Sequence, residues 1–268
     1  MSHKAKKRFG QNFLVDAHII SNIIRCIQPK PDDHMVEIGP GLGAMTRPLL
    51  QQLKKLHVVE IDRDLIARLE NDYPQGNANT PLIVHAQDAL QFDLATLPAP
   101  LRVVGNLPYN ISSPLLFYFA QYAERIQDMH FMLQDEVVER MVAAPSTPAY
   151  GRLSVMLQYR FSMEKLMDVP PASFRPAPAV NSAIVRMISL PPGEILVRDE
   201  ILFAQIVAAA FGQRRKTLRN TLKNYLTGTD FEHLKIDAQQ RAENLSVAEF
   251  ARIAVFVKSS HSNSQGER

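Results

Sequence analysis

The sequence predicts an α/β protein: a doubly wound, mostly parallel sheet with an antiparallel hairpin at one edge, and a small all-α domain at the C-terminus. Three observations carry this. Between residues 35 and 143, apolar strand-like runs alternate with helical stretches at the spacing of βαβ units. A glycine-rich loop, Gly39-Pro40-Gly41-Leu42-Gly43, falls between the first of these strands and the helix after it. Around Pro191-Pro192-Gly193 the alternation stops and only helical patterns follow.

The elements read in order as follows. A helix over 17–28 places Ile19, Ile20, Ile23, Ile24 and Ile27 on one side. Cys26 lies in it as a small core or surface residue, since nothing basic or nucleophilic brackets it. Strand 35–38 precedes helix 44–54, strand 56–61 precedes helix 63–71, and strand 82–84 follows. Strand 102–105 leads to helix 113–123, and strand 129–133 to helix 135–143. Two more strands, 165–169 and 183–188, flank a loop rich in proline (Pro170, Pro171, Pro176, Pro178). With no helix between them, they read as the antiparallel edge hairpin. Beyond a boundary near 190, helices are expected over 199–211, 214–226, about 237–241 and 246–257. The larger domain is thus 1–190, with 1–10 a basic flexible arm; 191–258 is a helical domain and the polar 259–268 a disordered tail.

Composition narrows the function classes. The chain has 268 residues, enough for one or two domains at roughly 150 residues each. Hydrophobic residues at 46% and charged residues at 21% exclude a disordered or collagen-like chain. One cysteine cannot form an internal disulfide, which suggests a reducing compartment. No secretory leader and no apolar run of membrane-spanning length is visible, so a cytoplasmic protein without a membrane partner is expected. The eight histidines are scattered without ligand spacing, and no metal is expected.

Net charge is only +3, but its placement is informative. Lys4, Lys6, Lys7 and Arg8 lie near the N-terminus with no acid among residues 1–15. Arg214, Arg215, Lys216, Arg219 and Lys223 lie in 201–229, again without an acid. Either run alone reads as a solvated face. Together they suggest a polyanion, and with the motifs below a nucleic acid.

The glycine loop points to a nucleoside. Glu60 ends the second strand about 20 residues after the loop, where doubly wound folds set a carboxylate against a ribose. The spacing is Gly-x-Gly-x-Gly, not that of dinucleotide binders, and no Lys-Ser/Thr follows as in a P-loop. Glu37 stands directly before the glycines, where it would repel a pyrophosphate and suit a cationic amine. S-adenosylmethionine has the ribose, the ammonium and a sulfonium, and no phosphate.

Asn106-Leu107-Pro108-Tyr109 follows the fourth strand, at the edge where open α/β sheets hold ligands. An adenine exocyclic amine is a poor nucleophile because its lone pair is delocalised into the ring. The Asn106 side-chain oxygen and the Leu107 carbonyl could accept hydrogen bonds from it and favour a tetrahedral nitrogen. Pro108 fixes the turn, and Tyr109 could stack on the base or face the sulfonium. Catalysis would rest on positioning and electrostatics, without a strong general base.

These motifs resemble the ribosomal RNA adenine N6,N6-dimethyltransferases, and among them the bacterial small-subunit group. The resemblance covers about residues 8–258. Its motifs are Arg8–Leu14, Glu37–Gly43, Val59–Asp62, Asp88-Ala89, Asn106–Tyr109, Leu133–Val138, Tyr150–Ser154, Phe174-Arg175-Pro176, Val180–Ala183 and Phe211–Lys216. Met45 departs from the usual Leu, a swap that conserves volume. The resemblance implies S-adenosylmethionine as methyl donor. Asn12 and Leu14 would contact its methionine end, Gly39 and Gly41 would approach it through backbone, Glu60 would hold the ribose and Asp88 the adenine amine. Asn106 would serve cofactor and target alike, and Tyr109 and Phe174 would sandwich the target base. Alone, Asp88 reads as a turn cap and Phe174 as a core aromatic; the loop prolines tilt Phe174 towards exposure.

The implied substrate is a pair of adjacent adenosines in the 3′-terminal hairpin loop of 16S rRNA, within the 30S subunit or its precursor, each dimethylated. Residues 1–190 are then the cofactor-binding catalytic domain and 191–258 the RNA-binding domain. Leu218, Leu222 and Tyr225 would face the core and the five cations of that segment the phosphates. Nothing calls for an obligate dimer, so a monomer is expected. Three other readings stay open: a 23S rRNA adenine methyltransferase of the macrolide-resistance type, a ribosome-assembly or RNA-binding factor with incidental catalysis, and a nicotinamide oxidoreductase, which the glycine spacing disfavours.

Overall fold

The computed structural model describes Lys6, residues 10–74, residues 80–195, Val197 and residues 199–265. Contacts divide the chain into two compact units. One comprises Met1–Val138 with Ser162–Ser189, the other Glu139–Phe161 with Leu190–Arg268.

The first unit opens with β1 (Phe13–Leu14) and α1 (Ala17–Ile27). Asp16 caps α1 by accepting from His18 N and Ile19 N, and Ile19, Ile23, Ile24 and Ile27 are buried at helical spacing. Then come β2 (His34–Ile38), α2 (Thr46–Leu50), β3 (Leu56–Glu60), α3 (Arg63–Asp72), β4 (Leu82–Ala86), β5 (Leu101–Asn106), α4 (Ser112–Ala120), β6 (Ile126–Gln134) and α5 (Asp135–Val142). After α6 (Arg152–Gln158) follow β7 (Phe161–Val169), β8 (Phe174–Arg175) and β9 (Ser182–Ser189). The large sheet has the order β4-β3-β2-β5-β6-β9-β7. The first five are parallel neighbours and β9 runs antiparallel to β6. The doubly wound sheet and its antiparallel edge are as the sequence predicts.

Strand order reverses between β2 and β5, which opens a crevice at their carboxyl ends. Their register sets Ile38 beside Gly105. A Cβ on Gly105 would lie 2.6 Å from the Ile38 carbonyl oxygen, so only glycine lets these backbones approach. The next residues on the two strands, Gly39 and Asn106, therefore start their loops side by side. At the opposite end Arg102, 6% exposed, donates to Asp128, to Asp33 Oδ2 at 2.6 Å and to the Ile27 and Gln28 carbonyls, tying the end of α1 to the sheet.

The helical unit takes in the chain from Leu190 onwards, and Glu139–Phe161 belongs with it rather than with the first unit. The reason is apolar: Ala143, Tyr150, Val155 and Tyr159 pack in one core with Phe203, Ile206, Val207 and Phe250. α6, which the sequence reading did not place, carries part of that surface. The other helices of this unit are α7 (Glu200–Phe211), α8 (Leu218–Thr221), α9 (Gly228–Leu234) and α10 (Val247–Gln265).

Several expectations are corrected. The helix over 214–226 shrinks to the four residues of α8, because Leu218 N and Arg219 N donate to the Gln240 and Ala238 carbonyls rather than along a helix. No helix forms over 237–241. It lies earlier, as α9, where Thr227 and Asp230 form a capping box. Helix 44–54 is only α2, between a turn that uses three left-handed glycines and the turn after Leu50. The tail expected to be disordered continues α10 to Gln265, and residues 266–268 lie outside the described residues. Of the basic arm, Lys4, Lys7 and Arg8 lie outside the described residues; Lys6 is not a free cation but pairs with Asp62 and Asp64.

Replacing Gly105 with Ala is expected to lower stability by about 1–3 kcal/mol, the usual cost of forcing extra volume into a packed interior. It should also weaken binding of S-adenosylhomocysteine, because the two loops are pushed apart. Thermal unfolding and calorimetric titration check both.

Candidate active site

The crevice holds a cavity of about 250 Å³ lined only by residues of the first unit. Asn12, Leu14, Gly39, Gly41, Glu60, Asp88, Asn106, Leu107, Pro108 and Tyr109 all line it. Ten positions singled out in sequence, spread over nearly a hundred residues, thus meet in one place.

The glycine loop turns in left-handed backbone at Gly39 (φ +65°) and Gly41 (φ +58°). Gly39 N donates to the Val59 carbonyl at 2.9 Å, which holds the loop to β3. A Cβ on Gly41 would lie 3.1 Å from the Phe13 ring, so β1 covers the loop closely. Behind it, Glu37 is 1% exposed, and its Oε2 accepts from Thr46 Oγ1 at 2.7 Å. Burial, with the nearby Glu60 charge adding, pushes its carboxyl up to about 7.

Glu60 is 6% exposed. Its Oε1 accepts from Ile61 N and Asp62 N, both at 2.9 Å, while Oε2 accepts from Gly41 N at 3.4 Å. Burial raises its carboxyl above the ordinary range, against the lowering pull of those amides. Asp88 Oδ1 accepts from Leu90 N at 2.9 Å, so it does cap its own turn while lining the cavity. The turn-cap reading of Asp88 holds, and the side chain also borders the cavity.

Asn106 is oriented by a residue remote in sequence. Its Nδ2 donates to the Asn12 carbonyl at 2.9 Å, which assigns the amide nitrogen to that side and leaves Oδ1 as the acceptor. Leu107 N donates to the Met132 carbonyl at 3.1 Å, and Ile111 N to the Pro108 carbonyl at 3.1 Å. The first bond ties the turn to β6 and the second closes the turn itself. The Tyr109 hydroxyl lies 2.6 Å from Ser182 Oγ.

Phe174 departs from expectation. It is fully buried (0% exposed), does not line the cavity, and belongs to the core with Leu14, Ile184 and Val169. The two-stranded pairing of β1 with β8 sets Leu14 opposite Phe174 and turns the ring inwards. The loop prolines did not expose it, and the core-aromatic alternative holds. Arg214, Arg215, Lys216, Arg219 and Lys223 lie in the second unit and are all exposed, while Leu218 and Leu222 are buried and Tyr225 packs at the core edge.

Sequence reasoning gave no role to Asp62 and Gln11. The Asp62 carboxylate is buried, caps α3, and accepts from Lys6 Nζ and, at 2.9 Å, from Gln11 Nε2. It thereby ties the segment bearing Asn12 to the end of β3. The Val59–Asp62 motif contained the signal, but only proximity reveals the partner.

Three carboxylates (Glu37, Glu60, Asp88) line the cavity and, among the described residues, no Lys, Arg or His does. Such a lining rejects a phosphate and suits a cation. Glu37 fits an ammonium, Glu60 Oε2 a ribose hydroxyl, Asp88 an adenine amine, and the half-exposed Ile61 side chain (47% exposed) an apolar ring face. Among the described residues no group of three or more His, Cys, Asp or Glu could hold a metal ion.

A doubly wound sheet with this strand order, an acidic glycine loop and a cavity for a cationic nucleoside defines an S-adenosylmethionine-dependent methyltransferase. The family model described as "Ribosomal RNA adenine dimethylase" matches residues 2–259. The chain belongs to that family. It is 61% identical over 255 residues to the Ribosomal RNA small subunit methyltransferase A of Aromatoleum aromaticum, covering 95% of each chain. It is 58% identical over 253 residues to the protein of the same name from Nitrosospira multiformis, covering 94% of this chain and 96% of the other. Among solved structures, a dimethyladenosine transferase from Plasmodium falciparum superposes with a TM-score of 0.80 at 26% identity, over 92% of this chain and 98% of that one. The 23S rRNA methyltransferase ErmE shares the fold, with a TM-score of 0.71 at 24% identity over 92% of this chain and 100% of that one.

With its raised carboxyl, Glu37 is expected to make cofactor binding dependent on pH. Its carboxyl is half protonated near pH 7, and a bound ammonium favours the ionised form, so binding should release a proton. Affinity for S-adenosylmethionine is expected to fall as pH drops below 7, by up to about tenfold per pH unit. Calorimetry in buffers of different ionisation enthalpy reads the released proton, and Glu37→Gln should remove the dependence.

Proposed function

We propose that this chain dimethylates the N6 amines of two adjacent adenosines in the 3′-terminal hairpin loop of 16S rRNA, within the 30S subunit or its precursor, using S-adenosylmethionine and no metal. The carrying observation is the cavity: three carboxylates without a cation at the cofactor end, and the Asn106–Tyr109 turn adjoining it. The small-subunit name borne by relatives 58–61% identical over nearly the whole chain supports this choice of substrate.

When bound, the cofactor supplies a methyl carbon on a cationic sulfur, which receives the C–S electron pair as the N6 lone pair forms the new bond. The residues of the chain do the rest. Glu37 binds the ammonium, Glu60 the ribose and Asp88 the adenine amine, while Gly39 and Gly41 let the main chain approach. Asn12 presents its carbonyl to Asn106 Nδ2, and Leu14 backs the methionine end. Asn106 Oδ1 and the Leu107 carbonyl accept from the N6 hydrogens and pull the nitrogen towards a tetrahedral shape, its lone pair aimed at the methyl. Pro108 holds the turn and Tyr109 stacks on the flipped base. Alkylated nitrogen is acidic, so its proton passes to water without a dedicated base. Most of the rate enhancement is orientation and fixed dipoles.

In the second unit Arg214, Arg215, Lys216, Arg219 and Lys223 bind RNA phosphates. Exposed on turns and on α8, with Leu218 and Leu222 buried, they present charge to the RNA backbone rather than read bases.

Asn106→Ala should reduce transfer by about 100-fold or more with the fold intact. The check is incubation with 30S particles lacking the modification, then mass spectrometry of the rRNA 3′ fragment; methyl groups appearing only on 23S rRNA would favour the large-subunit reading. Neutralising Arg214, Arg215 and Lys216 together should weaken RNA binding and lower the slope of log affinity against log salt by about 2. Binding isotherms over a salt series measure it, and an unchanged slope removes this role.

A further inference from the structure

The structure assigns to Ser182 the positioning of the Tyr109 ring, through a single hydrogen bond between the two hydroxyls; this rests on the reading of Tyr109 as the wall against which the target base stacks. Ser182 belongs to the Val180–Ala183 motif, which otherwise has no part in the reaction. It opens β9 and is fully buried (0% exposed), with Oγ 2.6 Å from the Tyr109 hydroxyl.

Both ends of this tether are held in place. Ser182 is paired with Gln134 at the end of β6, and beside it Asp135 N donates to the Asn181 carbonyl at 3.0 Å. Tyr109 sits in a turn in which Ser112 Oγ donates to its carbonyl at 3.2 Å. The ring is thus hinged at its Cα and moored at its hydroxyl, and the two side-chain torsions have little left to choose. With Phe174 buried in the core, no second aromatic from that position confines the base. A wall already fixed in orientation spares the complex the ordering that stacking would otherwise require. Burial raises the Tyr109 phenol above its ordinary value, so the phenol stays protonated and can donate to Ser182 Oγ. Ser182 acts through Tyr109 and is a positioning residue.

The test compares wild type, Ser182→Ala, Tyr109→Phe and the double variant as full chains on unmodified 30S particles. Each single change should raise KM for the particle by about threefold to tenfold, the effect of one lost hydrogen bond. In Ser182→Ala the value of kcat should stay within about twofold, and affinity for S-adenosylhomocysteine should be unchanged. The double variant should be no worse than the poorer single one, because only one bond is lost. Ser182→Thr, which keeps a hydroxyl, should recover most of the loss. Additive defects, an unchanged KM in Ser182→Ala, or a defect in cofactor affinity instead would overturn the proposal. Should Ser182→Ala fail to fold, Tyr109→Phe reads the same bond with Ser182 intact, and an unchanged KM there overturns it equally. Wild type that transfers nothing to adenosine N6 overturns the functional reading, whereas active wild type beside an unaffected Ser182→Ala overturns only the positioning.

Discussion

The close approach of β2 and β5 is the constraint on which the site depends. Two parallel strands in register set Ile38 against Gly105, with no room for a side chain between them. The glycine loop and the Asn106 turn therefore leave the sheet as neighbours. In the proposed reaction one loop receives the nucleoside and the other the base to be modified. Strand order reverses here, so helices on opposite faces leave the crevice open.

Electrostatics then select what the crevice takes. Burying Glu37 and Glu60 at a cavity that Asp88 also lines, with no cationic side chain among the described lining residues, is unfavourable, as the raised carboxyls of Glu37 and Glu60 record. A cationic ligand relieves that cost and a phosphate would add to it. The same low-dielectric surroundings strengthen the hydrogen bonds at Asn106, whose amide is oriented by the Asn12 carbonyl and whose turn is bonded to β6. The segment bearing Asn12 is itself tied down at Asp62.

The helical unit follows a different logic. Its core draws on Tyr150, Val155 and Tyr159 from a stretch well before the proline boundary, so chain order and packing unit do not coincide. Its basic segment is turn-rich where helix was expected, because carbonyls of Ala238 and Gln240 take the amides that a helix would have used. Burial of Leu218 and Leu222 was legible nevertheless, since apolar residues four apart face inwards whether or not the helix is continuous.

By itself the sequence determined the class of fold, the two loops that meet at the cavity and ten of the residues that line it. Alternating strand and helix patterns, glycines at a strand end and an acid one strand later are local signals, and locality makes them readable. Tertiary structure alone decided the rest. It turned Phe174 into the core through its pairing with Leu14, recruited Glu139–Phe161 to the helical unit, joined Asn12 to Asn106, and moored Tyr109 to Ser182. Each of these is a contact between residues far apart in the chain, and a single sequence specifies such partners only through the packing of the whole.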